Sequence, residues 1–435
     1  MSPAPFSPPR RPHRRTTQVR RNAVVVGWLV SAAVLAVLVL GGPLASWGTW
    51  LPLHALLLGG IGSAITVWSA HFADTLLHRP ALGGAALVNV RLGVHGLGTA
   101  TVLVGITAAR PGLALSGVGL VVLAALTGVA AISVQYRRAV APRLGTLALA
   151  YVVALTLLAV GATLGYLTSW AEDRGASGTA DRLYVAHTMT MLLGFVGTTV
   201  LGTLTVLWPT MLRTRMQPEA PRWALRGLPL LVAGTALVAC SGLWSPLGGI
   251  GALVYLAGAG GVVLPAWRTA RRVPPTSFAT ASATAAVTWF LGCVVVLGVG
   301  ITVAGPDAGA GGAGGSASGV RDLIHALRVA LGAGFALQIL VGALSYLTPV
   351  MLGGGPKASR ATNLVMDRAA AYRVTAANSC LLLALTPALP WEARLTCGAT
   401  AGCVTLYALV GMVLSGLEVR RRSRDGAASR SRRQP

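Results

Sequence analysis

Three histidines, His54, His187 and His325, each enter a long apolar run a few residues past its start, at near-equal intervals along the chain. The runs read HALLLGGIGSAITVWSA, HTMTMLLGFVGTTVLGTLTVLWPTML and HALRVALGAGFALQILVGALSYLTPVML. A neutral imidazole is a good ligand for haem iron or copper, and cofactors in helical bundles sit between facing helices. An ionisable side chain inside a bilayer is costly and marks a site by default, although a lone histidine at a helix end more often bonds backbone or headgroups. Three in register point to ligation. Recurrence at a fixed interval also implies a repeated unit that presents one imidazole per copy.

The elements that must position these residues are membrane helices. The chain of 435 residues is 54% hydrophobic and 11% charged, against about a quarter charged in a soluble domain. Apolar segments long enough to cross a bilayer follow one another along nearly its whole length. We expect twelve spans, at about 23–41, 49–72, 86–108, 113–134, 145–168, 182–208, 226–245, 248–266, 280–304, 322–350, 370–389 and 396–417.

The net charge of +24 is arginine in the tails and in alternate connections, which is orientation chemistry rather than nucleic-acid binding. Arg137, Arg138 and Arg143 follow span 4, and Arg213, Arg215, Arg222 and Arg226 follow span 6. Arg268, Arg271 and Arg272 follow span 8; Lys357, Arg360 and Arg368 follow span 10. The opposite connections carry Glu172, Asp173 and Asp181, or the glycine-rich segment with Asp307. Both termini are therefore expected in the cytoplasm, with basic tails at 1–22 and 418–435 that meet anionic headgroups, and a membrane domain at 23–417. The first apolar run reads as an anchor in a bacterial plasma membrane.

With that topology, spans 2, 6 and 10 run inward, and the three histidines share one layer roughly a turn below the outer helix ends. The chain divides into three four-helix units, about 23–134, 145–266 and 280–417. Spans 6 and 10 close on LWPTML and LTPVML, with Pro209 and Pro349 near the inner end. Gly194, Gly197, Gly202, Gly332, Gly334 and Gly342 allow close helix approach or leave room against a flat cofactor.

A b-type haem needs imidazoles at matched depth and cations for its propionates. His54 and His325 supply the first, with His187 as a third ligand or a neighbouring site. Arg328, a turn past His325, and Arg182, before His187, supply the second or pair with Asp322 and Asp181. Arg91 and His95 share a face of span 3 and could support the cofactor. His71 and Asp74 read as an interfacial pair, His13 and His78 as solvated. Trp68, Trp170, Trp208 and Trp391 read as interfacial anchors, and the five cysteines, without CxxC spacing, as small buried apolar groups.

Twelve spans in a threefold arrangement, with outer histidines on spans 2, 6 and 10, resemble the catalytic subunit of haem–copper oxidases. The resemblance implies a low-spin haem between His54 and His325 and places His187 at a copper site. Span 7, LRGLPLLVAGTALVACSGLW, lacks that family's His-His pair; span 10 has His325 without His-x-His; Met191 stands where a tyrosine would follow His187. A complete binuclear centre is not expected. LWPTMLRTRM and GALSYLTPVMLGGGP look like the membrane portion of actinobacterial copper oxidases and copper nitrite reductases, without the cupredoxin portion. The layout is also distantly similar to haem- and copper-containing membrane proteins linked to nitric oxide stress. The resemblance implies electron transfer between quinone and an extracytoplasmic cupredoxin or cytochrome, or the sensing of a small gas. The alternatives are a twelve-helix secondary transporter and a cofactor-free scaffold subunit. Against transport, the repeat is four helices long and no carboxylate stands at a span centre.

Overall fold

The computed structural model describes residues 14–140, 144–304, 315–352 and 355–431, and every regular element in them is helical. Arg10 to His13, Arg143, the segment with Asp307 and the last four residues lie outside that description. The helices are α1 (Arg14–Leu40), α2 (Trp50–Leu77), α3 (Gly84–Thr107), α4 (Pro111–Arg138), α5 (Gly145–Glu172) and α6 (Ser177–Met211). There follow α7 (Ala220–Gly242), α8 (Pro246–Arg272), α9 (Phe278–Ala304), α10 (Ala317–Leu352), α11 (Gly355–Met366), α12 (Ala370–Ala384) and α13 (Trp391–Ser431).

Among the described residues eleven helices are long and apolar enough to cross a membrane: α1 to α10 and the Trp391–Val419 part of α13. The molecule is thus an all-helical, multi-pass membrane protein that requires a lipid bilayer. The segment expected as span 11 forms α12, only 15 residues long. Pro387 and Pro390 follow it closely and cannot continue a helix, so it stays short of the ~20 residues a crossing takes. Helix α1 begins at Arg14 and α13 runs on to Ser431, so parts of both tails continue the adjoining spans.

Helices α2, α6 and α10, the ones that carry the three histidines, form the interior. Of their most apolar windows 67%, 72% and 61% is buried, against 17–50% in the other eight. The outer helices pack on them in sequential antiparallel pairs. Where α7 crosses α8, Gly227 meets the backbone of Gly258, and a Cβ on Gly234 would stand 2.5 Å from the Tyr255 nitrogen. The candidate glycines at the centres of α6 and α10 serve this packing: Gly194 lies against Leu157, Gly197 against Tyr255 and Phe290, Gly202 against Ala150, Gly332 against Leu53, Gly334 against Trp289, and Gly342 against Ala279 and Ser282.

Each inner helix also widens into a π-helical stretch just past its histidine: Ala55–Ile61 in α2, Thr190–Gly197 in α6 and Ala330–Leu337 in α10. A π turn adds a residue per turn and re-aims the side chains on either side, and such turns are frequent at functional sites. A fully buried aromatic run, Tyr255, Phe290 and Phe335, ties α8, α9 and the α10 stretch together, with Phe290 and Phe335 stacked at 4.3 Å.

Several residues sit differently from their sequence reading. Trp68 and Trp208 are buried rather than interfacial, since their indoles donate to Asn22 Oδ1 (3.1 Å) and to the Ala266 carbonyl (3.0 Å). Trp170 and Trp391 are exposed. Of the cysteines only Cys293 is buried; Cys240 and Cys403 are exposed on helix faces. His71 and Asp74 do not pair. Asp74 accepts from the Ala81 N–H (3.0 Å) and from Gln135 Nε2 (2.8 Å), while His71 lies edge-on to Trp68.

Candidate functional site

Helix α2 opens with Trp50-Leu-Pro-Leu-His54, the proline standing in the first turn where its missing N–H costs nothing. Nδ1 of His54 lies 2.8 Å from the Trp50 carbonyl a turn earlier, and the Trp50 indole stacks on the imidazole at 4.4 Å. A carbonyl only accepts, so Nδ1 carries the proton and the Nε2 lone pair is left over. His187 repeats this with a carbonyl from another helix: its Nδ1 donates to Gly161 on α5, 2.8 Å away. A turn later on α5, a Cβ on Gly165 would stand 2.8 Å from the His187 ring, so this position has no room for a side chain.

The His54 and His187 rings have centroids 6.4 Å apart and planes 3° from parallel. The Nε2 lone pairs of these two rings are the donors that would hold a metal ion here, at bonds of roughly 2.0 Å. An Nδ1–H donated to a backbone carbonyl is also the outer contact that ligating histidines usually make.

His325 is held in the other way. Its ring stacks on Tyr184 at 5.2 Å, and Arg328 Nη1 approaches its Nδ1 at 3.4 Å. Arginine only donates, so here Nδ1 is the acceptor. The sequence reading pairs His54 with His325; the rings in contact are those of His54 and His187.

All three histidines line one cavity of about 410 Å³ between α2, α3, α4, α5, α6 and α10. Trp50, Tyr166, Tyr184 and Met191 share its wall, and Glu172, Arg321 and Arg328 supply charge. Among the described residues no three His, Cys, Asp or Glu side chains converge on one point.

The cations divide as follows. Arg328 lines the cavity, whereas Arg182 packs against Gly242 and is not part of the wall. Arg321, absent from the sequence reading, is the organising charge. It donates to Glu172 (2.8 Å) and Asp181 (2.9 Å), and its guanidinium lies 4.6 Å from the Tyr184 centroid. Asp181 is thereby engaged by Arg321. Position 321, a turn before His325 on the same face, is the signal that would have found it. Tyr184, likewise missed, is three residues before His187.

His95 is fully buried and donates from Nε2 to the Leu58 carbonyl inside the α2 π stretch (2.9 Å). Arg91, also buried, donates to the Ala124 carbonyl on α4 (3.2 Å). Neither touches the cavity. A second chamber of about 110 Å³, lined almost wholly by carbon, lies further along the same helices between Trp68, Phe72, Tyr151 and Leu340; Val196 borders both.

No protein-family model matches the chain, and comparison with curated proteins finds no match.

Proposed function

We propose that the chain is a haem-binding membrane protein of haem–copper-oxidase-like architecture. It acts in electron transfer within oxygen or nitrogen-oxide metabolism and lacks a complete binuclear centre. The observation that carries this reading is the neighbouring, parallel pair His54 and His187 in one cavity, each with Nδ1–H given to a carbonyl and an Nε2 lone pair left over. These two are the ligands the geometry favours. His325, held by Tyr184 and Arg328, completes the wall, and Arg321 and Arg328 are the cations suited to the propionates of a b-type haem.

A bound haem would supply one-electron chemistry. The protein's part is to orient two imidazoles through the Trp50 and Gly161 carbonyls, to keep water from the apolar side with Leu331 and Val196, and to hold positive charge at one rim. A lone copper ion is the lesser alternative for the same pair, with Met191 as a soft neighbour in the cavity wall.

In this reading α12, together with the residues up to Leu389, makes the eleventh of twelve crossings. The spans form three four-helix units, and both termini face the cytoplasm of a bacterial cell. The histidine cavity opens outward, toward a cupredoxin or cytochrome partner, with quinone as the membrane-side partner. The test is elemental analysis with an absorption spectrum of the purified protein. Iron at about one equivalent per chain with a b-type spectrum, lost in His54→Ala and His187→Ala, is expected. A metal-free protein would overturn the reading.

A further inference from the structure

All three π stretches carry the same device. A carbonyl near the middle of each accepts a hydrogen bond from a buried polar side chain: Leu58 from His95 Nε2 (2.9 Å), Leu193 from the Tyr255 hydroxyl (3.0 Å), and Gly334 from Gln338 Nε2 (3.0 Å). The donors are anchored outside the inner helices. His95 stands on α3 and Tyr255 on α8, both fully buried. Gln338 is on α10 itself, but its amide is locked in a reciprocal pair with Asn378 on α12, at 2.9 and 3.0 Å, and Asn378 Oδ1 also accepts from the Trp289 indole (2.7 Å).

Inside a membrane a carbonyl in an irregular turn has no water to turn to, so each added donor counts; Leu193 also accepts from the Thr198 N–H and hydroxyl, and the Tyr255 hydroxyl reinforces that wide turn. A side-chain donor at that carbonyl favours the wide turn over a regular α turn. Interconversion of the two would rotate everything beyond it, the histidine included, by about 100°, the angle per residue of the helix. The glycines that face these donors keep the approach open: a Cβ on Gly62 would stand 2.5 Å from His95 Nε2, and Gly197 lies against the Tyr255 hydroxyl.

We propose that His95, Tyr255 and the Gln338–Asn378 pair are positioning residues, each of which holds the π turn of one inner helix and so aims His54, His187 and His325, respectively, into the cavity. The proposal gives each imidazole its own control point on a separate helix. It builds on the reading of the cavity as a ligand-binding centre, but the orientation of the imidazoles is measurable without a ligand.

The experiment compares Tyr255→Phe, His95→Leu and His95→Gln with the parent chain. It reads the imidazole nitrogen resonances of His54 and His187 in protein labelled at its histidines and stripped of metal, and in parallel the absorption spectrum of protein loaded with haem. Tyr255→Phe removes one oxygen and keeps the ring's packing, so it stays informative even if His95→Leu fails to fold. It is expected to shift the His187 resonances and leave those of His54 in place. His95→Leu should do the reverse, and His95→Gln, which restores a donor, should return His54 toward its parent position. If Tyr255→Phe and His95→Leu lower thermal stability yet leave both imidazoles at their parent resonances, the assignment is overturned. A parent chain that takes up no haem would contradict the proposed function alone, since the resonances of the metal-free protein still decide this assignment.

Discussion

The chemistry of the cavity rests on hydrogen bonds that decide which nitrogen of each imidazole is available. His187 depends on the space left by Gly165, where a Cβ would stand 2.8 Å from its ring. Gly165→Ala is expected to displace His187 and to abolish or shift any metal spectrum, at an overpacking cost of about 1–3 kcal/mol. Gly119→Ala is the control: no neighbour comes within 4 Å there, and its effect on melting should be neutral or slightly stabilising. Arg321→Met removes both ion pairs to Glu172 and Asp181. Those side chains are partly exposed, so solvent screening limits the loss to about 1 kcal/mol. Thermal melts should show the difference at low salt and lose most of it at high salt. At this scale the sequence reveals a good deal. The three histidines stand out because imidazoles are rare in apolar runs, and they do share one cavity. Their partners do not stand out: a backbone carbonyl such as that of Gly161 has no signature, and Arg321 and Tyr184 gain meaning only once α5, α6 and α10 are side by side.

The helices themselves were legible from apolar runs, since a bilayer leaves the backbone little alternative. Their internal irregularities were not. The π stretches of α2, α6 and α10 contain glycine, but so do regular helices here, and the buried side chains that donate to their carbonyls come from distant positions or, for Gln338, are braced by one. The close crossing of α7 and α8 is similar: Gly227, Gly234 and Gly258 are conspicuous only against each other. Gly234→Ala is expected to cost about 1–3 kcal/mol, because its Cβ would meet the Tyr255 backbone at 2.5 Å. Gly260→Ala on the same pair meets nothing within 4 Å and should leave the melting temperature unchanged. Hydropathy continues through Leu389, whereas Pro387 and Pro390 follow the end of α12 at Ala384, so hydropathy alone does not mark where the helix stops. Trp68 and Trp208 were misplaced for a related reason: position near a helix end is a statistical cue to the interface, and a carbonyl or amide partner inside the bundle overrides it.

For the whole molecule, the burial of α2, α6 and α10 at the centre of eight more exposed spans is the arrangement that a shared cavity requires. Whether α12 crosses the membrane decides where the chain ends. Reporter fusions at the two termini should both report the cytoplasmic side; an external C-terminus would mean an odd number of crossings and remove the scheme of three four-helix units. The central claim, that His54 and His187 form a ligand pair, is tested most directly by the reduced-minus-oxidised absorption spectrum of detergent-purified protein produced with ample haem, alongside His54→Ala, His187→Ala and His325→Ala. The account predicts a sharp b-type α-band that disappears in the first two variants and persists in the third. A band that survives without His187, or a featureless spectrum with neither iron nor copper present, would contradict it.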